Sequence, residues 1–565
     1  MASRCAVLAA AAAAAAVSDS RTTAMSDLSS QGGASPTARP NIVWIMSDDL
    51  GYGEVSRMPG RSNTNISTPH IDALLASGLT FTDAYAGEAV CAPSRSSFMT
   101  GRHTGHATIR GNRAVDGHDL PLPANETTWL SVLRDSGYHV ACVGKWGLGW
   151  WNTTGAPHVH GCSEYYGVLD QNAAHNMYPS DGDSTLRYPA ANGSLVYEPL
   201  PFPANVGASR SRCMAPGNTC VWSHDLWTAQ ALAVLDAQAA RQAAAARAGV
   251  AAAPFVLYLA YTDPHAGGWS GIEEQGNPVP SDGRFANETG WPENERDHAS
   301  AIETFQDADV GVLVAALQAH GLRDNTLVAF ASDNGASNEG GHDYAFFGSS
   351  GPLRGFKRCL TEGGIRTPLG ISWPAVVAPG ATTNYTFAFW DVLPTLLDAA
   401  QVPPAQWPAA LDGISVLPLL EGRSQVQHPP LYWEFCTSVH PPGVTRTDKG
   451  WGQAVRSGDW KLVSVCVGGG GGGSPRMPDG AAAALSHATH SSAPTRACSP
   501  PPPPAPQVRF FEGSPWELYN LADDIGETTD VATKHAAVVT QLAAVAAASH
   551  VESALFPSGS ACIGS

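Results

Sequence analysis

Two acidic pairs stand at the ends of short apolar runs: Asp48-Asp49 after "NIVWIMS" and Asp333-Asn334 after "TLVAFAS". Three carboxylates and an amide brought to one point repel one another unless a cation sits among them. Oxygen-only donors of this kind suit a hard ion, calcium or magnesium. Taken alone, Asp48-Asp49 serves equally well as a helix cap or a turn. The second pair, after a matching run, shifts the reading to metal. Basic groups keep the same company: Lys145 follows "YHVACVG", and His265 follows "FVLYLAY" by a few positions. "GPLRGFKRCLTEGGIRTP" (351–368) sets Lys357 in a glycine-rich loop where backbone can approach a ligand, and "CAPSRSSFMTGR" (91–102) sets Arg95 four places after Cys91. Arg95, Lys145 and Lys357 suit an anionic substrate, although such a loop is by itself an ordinary basic surface. A cysteine just before a tight Pro-Ser-Arg turn is by itself a buried thiol beside a helix start.

The runs that deliver these groups (41–47, 138–144, 255–261 and 326–332) share one design. Each is short, rich in β-branched or aromatic residues and apolar on both faces, which predicts a buried parallel strand. Helical patterns lie between them: "TPHIDALLASG", with a cap at Thr68 and a stop at Gly78, then Leu226–Gly249 and Ala301–Gly321. The alternation predicts an α/β fold, a mainly parallel central sheet sandwiched by helices. Ligands in such folds gather at the carboxyl ends of the strands, where Asp48, Asp49, Lys145, His265, Asp333 and Asn334 would meet. A polar, Pro-rich stretch over 421–430 separates this domain, residues 40–421, from a smaller C-terminal α+β subdomain over 430–550. There "AVRSGDWKLVSV" and "WELYNL" read as strands, and a helix near 534–550 covers them. The Gly/Pro-rich stretch 468–507 reads as a disordered insertion in a surface loop.

The 565 residues are 43% hydrophobic and 15% charged, enough for one large core and a smaller one. A formal net charge of −18 argues against a nucleic-acid partner, and no apolar run reads as an internal membrane span. Arg4 precedes an apolar run from Cys5 to Val17, which predicts a signal peptide over 1–17, with an organellar transit peptide as the alternative. A disordered lead-in is expected over 18–39. Six glycosylation sequons, at Asn65, Asn125, Asn152, Asn192, Asn287 and Asn384, favour the secretory pathway, with a secreted or lysosome-like destination. Of the 11 cysteines, an odd number remains once Cys5 and Cys91 are set aside. Cys213 and Cys220 are close enough to close a small loop, the other pairings are open, and no C-x-x-C pair suggests zinc.

"CAPSRSSFMTGR" matches C-x-P-S-R-x-x-x-x-T-G-R at each fixed position, the signature of the sulfatases. "PNIVWIMSDDLGYG", "GKWGLG", "YTDPHA", "ASDNG", "GPLRGFKRCLTEGGIRTP" and "DVLPTL" resemble further sulfatase blocks, in family order, between Pro40 and Asp530. The chain resembles a type I sulfatase of the arylsulfatase group, within the alkaline phosphatase-like superfamily. The resemblance implies that Cys91 is oxidised to formylglycine, a built-in aldehyde cofactor, by a formylglycine-generating enzyme acting on the unfolded chain. It implies a divalent cation, calcium with magnesium as the alternative, held by Asp48, Asp49, Asp333, Asn334 and the modified Cys91. The hydrated aldehyde would then attack the sulfur of a sulfate monoester in line. Arg95 and Lys145 would stabilise charge on the sulfuryl oxygens, and His265 and Lys357 would protonate the leaving group. A second hydroxyl then allows sulfate to be expelled. The implied substrate is a small-molecule or glycan sulfate ester: a sulfated carbohydrate, lipid or aryl sulfate.

One block departs from the family. Where many members have "GKWHLG", this chain has "GKWGLG", with Gly147 in place of a histidine that assists elimination. His175, in "LDQNAAHNMYP", is the candidate substitute base, or a substrate contact, because histidine titrates in the useful range. Two other readings compete. One is a phosphodiesterase or phosphonate hydrolase on the same metal cradle, against which Asn334 removes a negative charge. The other is a non-catalytic binding protein, which Gly147 favours and the intact signature opposes. Substrate identity and oligomeric state carry no sequence signal.

Overall fold

The computed structural model describes residues 38–61, 65–113, 119–180, 185–269, 276–437, 450–464 and 516–558. The expected signal peptide, nearly all of the lead-in and the 468–507 insertion lie outside the described residues.

Four strands form the centre of a ten-stranded sheet: β1 (Asn41–Ser47), β2 (His139–Lys145), β3 (Phe255–Ala260) and β4 (Thr326–Ser332). They run parallel in the order β4-β1-β3-β2. Only His139 among their residues is less than fully buried, as expected of strands apolar on both faces. Shorter strands widen the sheet. Leu369–Ser372 pairs antiparallel with β4 on one side, and Glu164–Val168 pairs parallel with β2 on the other.

Helices cover both faces. They are α1 (Pro69–Ala76), α2 (Cys91–Thr100), α3 (Trp129–Asp135), α4 (Ser223–Ala248), α5 (Glu293–Ser300), α6 (Ala308–Ala319) and α7 (Val392–Ala399). The period of two in β1 divides the core. Val43 and Ile45 join Leu75, Trp227, Leu235 and Leu313 of α1, α4 and α6. Ile42, Trp44 and Met46 join Phe98, Trp129, Leu133 and Leu396 of α2, α3 and α7. The helix expected from Ala301 begins earlier, at Glu293, and passes through a π-helical stretch over Ala301–Asp307 before α6. Its first turns carry no apolar period, because the face that α5 buries is polar: Glu295, Asp297 and His298.

The C-terminal chain forms a separate antiparallel sheet of Leu431–Thr437, Gly450–Ser457, Trp460–Ser464 and Trp516–Asn520, in that order. Helix α8 (Ala536–Ser549) packs on it. "AVRSGDWKLVSV" splits into two strands at Gly458, whose φ of 58° makes the turn. A buried charge network joins this sheet to the large domain. Lys461 Nζ lies 2.9 Å from Glu362 and 3.0 Å from Glu527, and Arg366 Nε lies 2.7 Å from Glu362. The expected Cys213–Cys220 disulfide is present, and Cys142–Cys162 is a second.

Candidate active site

Strand register builds the site. Ser47 is opposite Ser332, so Asp48 and Asp333 leave the sheet side by side. The Asp333 amide donates to the Ser47 carbonyl at 3.0 Å, and the Asp48 amide donates to the Asp263 carbonyl at 3.2 Å. Asp49 then takes φ 68°, a left-handed conformation that aspartate tolerates better than most residues. Its amide donates to Asp333 Oδ1 at 3.1 Å.

Cys91 is the first residue of α2, and all ten residues of that helix are buried. The tight turn expected at Pro-Ser-Arg is the first turn of this helix. Proline fits there because N–H groups of a first turn have no helical acceptor. Cys91 Sγ lies 3.5 Å from Asp48 Oδ1. One turn further, Arg95 is fully buried, with Nε 3.0 Å from Asp333 Oδ2 and an NH1 donating to the Lys145 carbonyl at 3.0 Å. Its guanidinium is directed at Asp333 and the end of β2, with NH2 2.9 Å from Asp333 Oδ2. The other basic residues ring the acids. Lys145 Nζ donates to Asp48 Oδ2 at 2.6 Å. Lys357 Nζ donates to Asp49 Oδ2 and to Glu339 Oε2, both at 2.8 Å. His265 Nδ1 lies 2.7 Å from the Ala266 carbonyl, which assigns the ring proton there and leaves Nε2 to accept from Lys357 at 3.0 Å.

The charges are strongly coupled to burial. Burial alone would raise the Asp49 pKa, but Lys357 and His265 outweigh it and hold it at about 2. Asp333 is pushed up to about 6 by burial and by the Asp48 carboxylate. Burial raises the Cys91 thiol well above its usual range. His265 is held down to about 4, by burial first and then by Lys357. Lys357 stays protonated against burial because Asp49 and Glu339 face it.

The donor set fits a hard cation. Asn334 Nδ2 donates to Asp49 Oδ1 at 2.8 Å, while its Oδ1 is buried with no protein partner. Ligand atoms of Asp48, Asp49, Cys91 and His265 lie within 4.8 Å of one another. Asp48, Asp49, Cys91, Asp333 and Asn334 are thus gathered at one point, with Lys145, His265 and Lys357 around them. His175 stands at the rim of this cluster, in a short 3-10 turn, with its ring edge-on to His265 at a centroid distance of 4.5 Å.

Two residues escaped the sequence reading. Glu339 anchors Lys357 and pairs with Arg358; it is a single acid in a glycine-rich loop, with no period to mark it. Gln171 fills the space beside Gly147. A Cβ on Gly147 would lie 2.5 Å from Gln171 Nε2, which donates to the Gly147 carbonyl at 3.3 Å. The place of the missing histidine is therefore held by an amide side chain.

A family model described as Sulfatase matches residues 40–402. The chain belongs to the sulfatase family. A model described as N-sulphoglucosamine sulphohydrolase, C-terminal, matches residues 355–467 of this sulfatase. It is 32% identical to arylsulfatase A of Bos taurus over 441 residues, 76% of this chain and 75% of that protein. It is 29% identical to the steryl-sulfatase of Mus musculus, over 72% of this chain and 69% of that protein. Among solved structures, the sulfatase resembles a protein crystallised with k-i-k-neocarrahexaose, with a TM-score of 0.62 and 23% identity, over 90% of this chain and 92% of that one. A sulfatase from Pseudoalteromonas sp. gives a TM-score of 0.60 and 20% identity, over 90% and 89%. This sulfatase is a sulfuric ester hydrolase. Among its described residues, no helix is long and apolar enough to cross a membrane.

Proposed function

We propose that the enzyme hydrolyses sulfate monoesters with a formylglycine made from Cys91 as its nucleophile, beside a calcium or magnesium ion held by Asp48, Asp49, Asp333 and Asn334. The observation that carries this reading is Cys91 at the head of a buried helix, 3.5 Å from Asp48, in a cluster whose Asn334 Oδ1 has no protein partner. A cation there supplies Lewis acidity, which lowers the pKa of an oxygen nucleophile and offsets charge on the sulfuryl group.

The surrounding residues have separable tasks. The N-terminus of α2 aims partial positive charge at a bound anion. Arg95 fixes Asp333, and Lys145 fixes Asp48. Lys357 carries a proton 3.0 Å from a neutral His265, a pair suited to protonating the departing alcohol oxygen. Glu339 holds Lys357 in that position. His175 stands edge-on to His265 at a centroid distance of 4.5 Å, and it is our candidate substitute for the histidine absent at Gly147, or a substrate contact.

The substrate class we favour is a sulfated carbohydrate. Support comes from the N-acetylgalactosamine-6-sulfatase of Mus musculus, 27% identical to this chain, and from the fold shared with the protein bound to neocarrahexaose. The secretory pathway is the compartment that fits two disulfides and exposed asparagines at all six sequons. On that route the nascent chain would meet a formylglycine-generating enzyme. The deciding experiment is mass spectrometry of the Cys91 peptide from secreted protein that turns over an aryl sulfate. An aldehyde at Cys91 is expected, and a fully active preparation carrying only the thiol would overturn the reading.

A further inference from the structure

A second cluster of metal-ligating side chains lies apart from this pocket. Glu54 follows the Asp48-Asp49 pair in the 3-10 turn Tyr52–Glu54, His298 is on α5, and His342 is on the loop that carries Glu339. One ligand atom from each lies within 4.8 Å of the others, and all three residues are buried. Glu54 Oε1 is 2.6 Å from His298 Nε2, and its other oxygen accepts from the Gly51 amide at 2.7 Å. His342 Nδ1 is 2.7 Å from Glu295 Oε2, and Glu295 is itself fixed by the Asp343 amide at 2.8 Å. A carboxylate can only accept, so the ring proton of His342 sits on Nδ1 and Nε2 presents a lone pair. That Nε2 is buried with no hydrogen-bond partner, in a side chain only 6% exposed.

A carboxylate on the far nitrogen is the usual support of a metal-binding histidine. We propose that Glu54, His298 and His342 form a second divalent-cation site, of the zinc class, distinct from the pocket at Cys91. Two imidazoles and one carboxylate suit zinc, not the all-oxygen preference of calcium. Binding puts the ion in place of the hydrogen bond between Glu54 Oε1 and His298 Nε2; the proton on Nε2 moves to Nδ1 of a neutral ring or leaves a charged ring for solvent. The two rings are parallel, with centroids 3.7 Å apart. Imidazole lone pairs lie in the ring plane, so binding turns both nitrogen-bearing edges toward the shared ion. The ion would tie together the turn after Asp48-Asp49, helix α5 and the Glu339 loop, so it braces the pocket without touching substrate.

The test is titration of the calcium-saturated, full-length protein with zinc and with cobalt(II). One further equivalent is expected, with visible cobalt d–d bands and no sulfur-to-cobalt charge-transfer band. It should also raise the melting temperature by mass action. His342→Ala and Glu54→Gln should abolish that equivalent, while Glu295→Gln should weaken it about 10- to 100-fold. The proposal is overturned if the wild-type protein takes up no second ion. It is also overturned if both variants keep the cobalt spectrum, or if a charge-transfer band places the ion on Cys91. His103→Ala, in the cluster of His103, His106 and Asp412, should keep that equivalent, and its loss there would overturn the proposal whatever the other variants do.

Discussion

Gly147→Ala tests the position where the sequence departs from the expected GKWHLG block. Gly147 has φ +77°, where a side chain other than glycine costs about 1–2 kcal/mol. The new Cβ would also stand 2.5 Å from Gln171 Nε2, so the amide must withdraw and lose its 3.3 Å hydrogen bond to the Gly147 carbonyl. That loss is worth about 0.5–1.5 kcal/mol. The expected destabilisation is about 2–3 kcal/mol, read as a lower urea midpoint with an unchanged m-value. In a Gln171→Ala background the clash disappears and only the backbone part remains. A double-mutant cycle should therefore give a coupling of about 1 kcal/mol, within the usual range for residues in contact. If Gly147→Ala stays within about 0.5 kcal/mol of the wild type, or its full cost persists without Gln171, this account of the slot is wrong. The same geometry implies that Gly147→His alone cannot install the family histidine, and that Gln171 must be shortened first.

Cys91→Ser keeps one hydroxyl in place of two, so rapid-quench kinetics should show about one equivalent of alcohol released per enzyme and then no turnover; steady turnover would refute the formylglycine reading. His224 lies 3.0 Å from Asp263 and 3.1 Å from Asp309; burial opposes its charge, but the two carboxylates outweigh burial and raise its pKa to about 9. A raised pKa stabilises the fold fully below about 6.5, and that share, on the order of 3 kcal/mol, is lost as pH climbs through 9. Denaturation midpoints across this range should fall in the wild type and stay flatter in His224→Gln. Lys461→Met leaves Glu362 and Glu527 buried against each other and should cost about 3–5 kcal/mol by the same measurement; a neutral result would show that the charge network does not hold the two sheets together.

The four central strands were legible because their residues are apolar on both faces, a pattern few other elements produce. The acid pairs were legible because strand ends converge in a parallel sheet. The pairing of Arg95 with Asp333 was not, since no local pattern links one arginine to an acid 238 residues away and only the register of β4 brings them together. Glu339 and Gln171 sit in loops whose paths depend on distant contacts, so no local period announces them. The early start of α5 was hidden because it buries Glu295, Asp297 and His298, and a polar buried face breaks the hydrophobic rhythm by which helices are recognised.

Ser464 and Trp516 are direct partners across one antiparallel ladder. The two ends therefore stand a single strand spacing apart, about 4.8 Å. The entropy of closing such a loop grows only with the logarithm of its length, about 0.6 kcal/mol for each doubling. A connection between two such neighbouring positions can therefore change length at little cost to folding. The same tolerance makes it a practical port, where a reporter domain with neighbouring termini could be spliced in while both flanking strands keep their pairing.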